Sequence, residues 1–405
     1  MITISKPGID IKDGKARLSA MLDFDGDRHE LWIEVDREYE AFLCAERSDA
    51  FVLGVIYYAM RYGHDISCEA PMTKRLYEQL TDQFLPALYK INGYRDSYQH
   101  GCGYRVRISA PLAPEVVHPE GGVAVGSGVS CGVDSLHVFA VHPEITHGCI
   151  WHAYGVVPGE TQERREKAWR HLVGRAEEFC AATQKKLVVV DTNFDRQCVK
   201  SLQWDGMTTY GNLFCIFALQ KMWSKYYVAS GYDIGDFHLK GSVSTDPAHY
   251  EYLLFALCGL SNFSICLDGV AQNRVQKVAD LVKYEPATRF LNVCHEITED
   301  GRNCSYGCAK CMRTMLDLDA CGALEMFHAV FDVQYYRTHF HEYLAEWYRG
   351  LLQRNPFATE LMPYFSTRKF PLWVRLRAYR IVLRKSIKKL MRGGKTRVGK
   401  FSSRG

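Results

Sequence analysis

No stretch of these 405 residues is apolar for long enough to cross a bilayer; the longest such run lies near Phe51 to Met60. The opening Met1-Ile2-Thr3-Ile4-Ser5-Lys6-Pro7 lacks the layout of a signal peptide. Acidic residues are missing altogether from Thr367 to Gly405, where fourteen Lys and Arg stand. Because the whole chain carries a net +4, its first 366 residues carry −10, an acidic body with a basic tail. These absences argue against a helical membrane protein and lead to the expectation of a cytoplasmic chain. In that compartment the fifteen cysteines read as thiols or metal ligands rather than as disulfides. A hydrophobic share of 47% and a charged share of 24% are ordinary for a globular chain, so two or three domains with a sizeable core are expected.

Two common phosphate-binding loops are also missing. Gly394-Lys395-Thr396 has Lys389 where a Walker A loop needs its first glycine, and no strand precedes it. A dinucleotide fingerprint begins acceptably at Gly126 and Gly128, but its third glycine falls on Cys131.

What is there is a small-residue strand, Gly122 to Val129, then Ser130-Cys131-Gly132-Val133-Asp134-Ser135, then an apolar run from Leu136 that reads as a helix. Strand, tight loop and helix start together present backbone N–H groups and a positive dipole end to an anion. Ser130 and Ser135 offer hydroxyls, and Asp134 a carboxylate that could hold magnesium against a phosphate. The expected ligand is the phosphate chain of a nucleotide.

Residues 1–115 read as an α+β domain. Ala16 to Leu22 and Glu30 to Val35 alternate as a hairpin, Ala50 to Tyr62 and Met72 to Leu88 have helical periodicity, and Tyr104 to Ser109 alternates again. His64 and Cys68 read as structural. Beyond Gly121 strands alternate with helices, which implies a parallel sheet. The strands expected are Gly122 to Val129, Cys149 to Tyr154, Lys186 to Val190, Tyr226 to Ala229 and Phe263 to Leu267, with helices at Thr161 to Thr183 and Thr208 to Trp223. Asp134, Asp191-Thr192-Asn193 and Asp268-Gly269 all fall at the carboxyl ends of strands, where open α/β sheets bind ligands. Arg274 and Lys277 lie about one turn apart on the next helix, as a solvated face or as a cationic clamp for phosphates.

A second signal lies at Cys294, Cys304, Cys308 and Cys311. Cys308 and Cys311 are spaced to grip one side of a zinc ion, Cys304 and Cys294 can complete a tetrahedron, and Gly301 and Gly307 supply turns. Four thiolates leave no open position, so such a zinc is structural. Cys321 is too distant to be a first choice, and His295 is a fallback ligand.

With both signals placed, residues Gly121 to Leu318 resemble the N-type ATP pyrophosphatase (PP-loop, adenine-nucleotide α-hydrolase-like) superfamily, nearest to its 7-cyano-7-deazaguanine synthase-like members. Asp191-Thr192-Asn193, Asp268-Gly269, Arg274, Lys277 and Asn303-Cys304 through Cys311-Met312-Arg313-Thr314-Met315 are similar to the pattern of one branch of it. The resemblance implies a doubly wound parallel five-stranded α/β sheet in residues 116–320, with a four-cysteine zinc knuckle at 294–311, a helical region at 321–366 and the basic tail at 367–405. It implies ATP, Mg2+ and Zn2+ as cofactors. ATP would lie on Ser130, Cys131, Gly132, Val133, Asp134 and Ser135, with Asp191 and Asn193 nearby and Asp134, Ser135, Arg274 and Lys277 catalytic. A small-molecule carboxylate or carbonyl oxygen would be adenylated with release of pyrophosphate, and a nitrogen or sulfur nucleophile would displace AMP. A tRNA-thiolating enzyme and a catalytically silent nucleotide-binding partner in a defence or polysaccharide assembly are the alternatives. The family's usual first loop glycine is Cys131 here. That residue is expected either to pack quietly or to place a thiol of lowered pKa beside the phosphates.

In the tail, Leu372, Leu376, Tyr379, Leu383, Ile387 and Leu390 recur at steps of four and three, with Arg377, Arg380, Arg384, Lys385, Lys388 and Lys389 on other faces. The readings are an interfacial helix anchored by Trp373 at the inner membrane surface, a nucleic-acid arm, or a helix docked on the acidic body. A homodimer is compatible with the sequence.

Overall fold

The computed structural model describes residues 1–88, 106–119, 123–152, 161–195, 207–239, 247–294, 301–366, 368–369 and 371–383. The chain divides into two compact units, Met1–Gln272 and Asn273–Gly405. Residues 1–115 and the expected parallel strands therefore share the first unit. His295 and the tail beyond residue 383 lie outside the described residues.

The first unit is α/β. Its strands are β1 (Ile2–Ile4), β2 (Gly8–Lys12), β3 (Lys15–Phe24), β4 (Asp27–Asp36), β5 (Ile66–Cys68), β6 (Met72–Thr73), β7 (Ile108–Ser109), β8 (Leu112–Ala113), β9 (Ala124–Gly128), β10 (His147–Trp151), β11 (Lys186–Thr192), β12 (Trp223–Ala229) and β13 (Ser264–Asp268). Eleven join one sheet in the order β13-β12-β9-β10-β11-β4-β3-β1-β5-β7, with β2 on β3; β6 and β8 pair separately. From β13 to β11 every neighbour is parallel, and the order reverses on either side of β9. Each of the five expected strands is found, within a few residues of its expected ends.

The hairpin β3–β4 follows from alternation. Ala16, Leu18, Ala20 and Leu22 face inward with Leu31, Ile33 and Val35, while Arg17 and Glu34 pair outside at 2.8 Å. Asp25 and Gly26 both take positive φ, 55° and 102°, the two-residue turn that suits the twist of a hairpin. The helix Asp49–Tyr62 is apolar nearly all round and accordingly buried, with Phe51 edge-on to Phe214 of the helix Thr208–Ala218.

Small residues in β9 have a packing cause. A β-carbon at Gly126 would lie 2.7 Å from the Trp223 ring of β12, so only glycine lets that indole cross the strand. The central strand is thus thin so that β12 can bury Trp223 and Tyr226 against it. Two expected elements end differently. The helix expected over Thr208 to Trp223 stops at Ala218 because Trp223 starts β12, and Met72-Thr73 forms β6 rather than a helical turn.

The second unit is helical. Arg274–Leu281 opens with a capping box between Asn273 and Gln276; Ala309–Ala320 and the longer Val333–Leu352 follow. Short helices at Pro356–Glu360 and Met362–Phe365 precede a helix over 372–383. Among the described residues, no helix is long and apolar enough to cross a membrane.

Candidate functional site

In the first unit, Ser130 to Ser135 leaves the carboxyl end of β9, and the helix Val133–Val141 begins within it. Gly132 is the N-cap and has no side chain to offer the first-turn N–H groups of Val133, Asp134 and Ser135. The loop is braced from inside. Ser135 Oγ accepts from Ser130 N at 3.1 Å and donates to Gly128 O at 3.2 Å, while Ser130 Oγ accepts from Gly132 N at 3.4 Å. The Ser135 hydroxyl, expected to face a ligand, therefore holds the bend's shape. Ser130 is exposed, and Asp134 is partly exposed in the first helical turn.

Cys131 resolves the question raised by its departure from glycine. Its φ is +56°, the left-handed region that favours glycine, so the bend keeps a glycine-like backbone under a β-carbon. Its side chain is buried, with Sγ 3.9 Å from the carbonyl of Arg175 in the helix Gln162–Ala182. Burial, with a smaller contribution from Cys180, pushes the thiol up to about 12. The expected low-pKa thiol beside phosphates is corrected: the sulfur packs under the loop, and desolvation outweighs any pull from the helix end.

Asp191-Thr192-Asn193 ends β11 and clips β4 to it. Thr192 Oγ1 donates to Trp32 O at 2.6 Å; Asn193 Oδ1 accepts from Trp32 N at 2.9 Å, and its Nδ2 donates to Glu30 O at 2.7 Å. The Asn193 amide extends a short antiparallel pairing, Asp191 with Glu34 and Thr192 with Ile33, by one side-chain rung. Asp191 alone of the three turns outward: its Oδ1 lies 3.3 Å from His152 Nδ1, whose ring stacks on Trp169 at 4.6 Å.

Asp268, at the end of β13, meets His137 of the helix after the loop and His142, which caps that helix's C-terminal end. His142 Nε2 lies 2.9 Å from Oδ1 and His137 Nδ1 3.4 Å from Oδ2. His142 also stacks on Tyr227 at 3.8 Å, and the Tyr227 hydroxyl donates to Glu144 at 2.6 Å. Burial alone would raise the Asp268 carboxyl, but the bonds from His137 and His142 outweigh it and hold it below its ordinary range. His137, His142 and His152 were missed in the sequence; their only signal is a place within about one short helix of a strand end, which is too common to single them out.

Arg274 and Lys277 belong to the second unit and are both buried. Arg274 Nε pairs with Asp317 at 3.2 Å, a further guanidinium nitrogen reaches Thr314 Oγ1 at 3.1 Å, and its backbone N–H donates to Glu360 at 2.8 Å. Arg274 thus ties Arg274–Leu281 to Ala309–Ala320. The solvated-face reading is corrected by this burial.

The four cysteines do converge. The sulfurs of Cys294, Cys304, Cys308 and Cys311 all lie within 4.8 Å of one another, and those of Cys304 and Cys311 are 3.5 Å apart. Sulfurs around a tetrahedral zinc at about 2.3 Å sit roughly 3.8 Å apart, so the donor set fits a four-thiolate ion. Gly301 and Gly307 take positive φ, 68° and 91°, and Cys308 caps the helix that carries Cys311. Asn303 fixes the distant ligand: its buried side chain accepts from Val293 N at 2.7 Å and Cys294 N at 3.0 Å, and donates to the carbonyls of Leu291 and Val330. The Tyr343 hydroxyl donates to Ser305 O. Burial, then the hydrogen bond with Cys294, pushes the Cys304 thiol up to about 12. Cys321 lies apart, its thiol directed to Val275 O at 3.8 Å. Comparison of the chain with protein-family models, curated proteins and solved structures gave no match.

Proposed function

We propose that the chain is an ATP-dependent adenylating enzyme of the N-type ATP pyrophosphatase kind, with a structural zinc in its second unit. The observation that carries the reading is the place of the Ser130–Ser135 bend: it leaves the central parallel strand where the order reverses, and a helix with a glycine N-cap begins there. The strand order β11-β10-β9-β12-β13 supports reading this part of the sheet as doubly wound. The backbone N–H groups of the bend would hold the β- and γ-phosphates. Asp134 would hold magnesium, which supplies charge neutralisation on the departing pyrophosphate. A substrate carboxylate oxygen bonds to the α-phosphorus, the bond to the pyrophosphate oxygen breaks, and pyrophosphate leaves with that electron pair. An amine then attacks the acyl carbon, loses a proton and displaces AMP. The bend stabilises charge on the leaving group, and the attacking oxygen already carries its own, so little base catalysis is required.

The buried, high-pKa Cys131 sulfur weighs against sulfur transfer through that residue. The commitment of Arg274 to Asp317 favours, as second reading, a nucleotide binder without turnover. Pyrophosphate release against a panel of small carboxylates separates the two, with Asp134→Ala as control. Release that needs both ATP and one carboxylate, and is lost in Asp134→Ala, is expected. Tight ATP binding with no release from any substrate supports the silent binder, and no dependence on ATP at all removes both.

A further inference from the structure

The helix over 372–383 has two apolar faces, and only one is used. Val374 and Ala378 are fully buried. On that side the helix lies along Val333–Leu352: Trp373 meets His341 edge-on at 5.8 Å, Tyr379 meets Tyr348 at 6.0 Å, and Arg377 pairs with Glu342 at 3.4 Å. Most of the stripe visible in the sequence faces the other way, with Tyr379 at its edge and in touch with both sides. Leu372, Leu376, Tyr379 and Leu383 remain 69, 57, 46 and 59% exposed, and Trp373 beside them 43%. The helix does dock on its own unit, but by its narrower face.

At about 3.6 residues per turn, Arg375 and Arg380 flank the exposed stripe, one on each side. Ile387 and Leu390 continue the stripe's spacing in the sequence, and no acid occurs anywhere from Thr367 onward. We propose that this face seats on an anionic lipid bilayer, its leucines entering the acyl boundary while the arginines meet head groups and Trp373 and Tyr379 sit at the interface. Apolar burial and attraction to anionic lipid add, and neither alone uses everything this face presents. A nucleic acid would engage the cations and leave four large apolar side chains wet. A second copy of the same face would set arginine against arginine with no carboxylate in the segment to relieve them.

The test is flotation of the full-length protein with phosphatidylcholine vesicles, with and without phosphatidylglycerol. Binding is expected only with the anionic lipid, falling as salt is raised. The double variant Leu376→Asp, Leu383→Asp should lose it, and Arg375→Gln with Arg380→Gln should weaken partitioning by roughly thirtyfold. Leu376, Leu383 and Arg380 are exposed, whereas the exposed Arg375 also sets its guanidinium 5.8 Å from the Tyr348 ring, so the leucine variant should keep the parent's thermal midpoint and the arginine variant should fall only slightly below it, which certifies both folds. Equal binding to neutral vesicles, or none to either, overturns the proposal. So does retention of a DNA or RNA duplex by the leucine double variant in place of vesicle binding, or self-association of the parent chain that the same variant abolishes.

Discussion

The loop of the first unit and the cysteine cluster of the second were both read from the sequence, yet they use their side chains in opposite ways. In the cluster the chemistry is in the side chains: four sulfurs converge, and Asn303 exists to aim one of them. In the loop, on the function proposed, the chemistry would lie in the main chain. Ser135 braces the bend, Cys131 packs beneath it, and Asn193 is spent on holding β4. A site built from ligand atoms declares itself by residue type, whereas one built from backbone donors leaves its side chains free to become scaffold.

That contrast can be broken first at the cluster. Elemental analysis should find about one zinc per chain. Cys311→Ser should abolish it and, because metal binding in such knuckles is worth on the order of 10 kcal/mol of folding free energy, should unfold much of the second unit by hydrogen exchange. A metal-free protein with native exchange in that unit would show the thiols to be ordinary core. Next in size is the buried pair of Arg274 with Asp317. Arg274→Met removes the guanidinium that pairs with the buried Asp317 carboxylate and should cost about 3–5 kcal/mol in urea unfolding. A loss of pyrophosphate release in this variant without loss of stability would return Arg274 to the catalytic set.

The loop offers smaller effects. Asn193→Ala removes two bonds to β4 and should cost about 2 kcal/mol, while pyrophosphate release per folded molecule stays within twofold of the parent, roughly the scatter of such assays. Cys131→Gly relieves a left-handed residue worth about 1 kcal/mol and forfeits a similar amount of thiol burial, so its unfolding midpoint should barely move. Turnover should persist too, and its loss would make the thiol a participant. The last effect is one of pH. Asp268 is held below its ordinary 3.8 by His137 and His142, so its stabilisation is present above that value and is lost as pH falls through the lower value of the fold. Asp268→Asn should therefore unfold more easily than the parent at neutral pH, with the gap closing in acid.

The parallel strands were legible because fully buried strands read as short apolar runs between helices, and each was found. The cluster was legible because four cysteines in a polar, glycine-rich stretch have few other uses. What the sequence concealed was reach. Nothing near Asn193 announces that its amide will meet Glu30 and Trp32, some 160 positions earlier. Nor does anything near Arg274 name Asp317. Both are polar residues at the ends of elements, where a brace and a ligand contact look alike. The stripe of 372–383 admits three readings in the sequence for a related reason: periodicity finds an apolar face without saying what lies against it.

The central claim is that the bend after β9 grips a nucleotide through its main chain. Hydrogen exchange of the intact protein with and without magnesium ATP tests it where it lies. Protection is expected in the peptide spanning Val129 to Leu136, absent in Asp134→Ala, with the cysteine cluster unchanged. Binding of ATP that leaves that peptide exchanging at its free rate would contradict it.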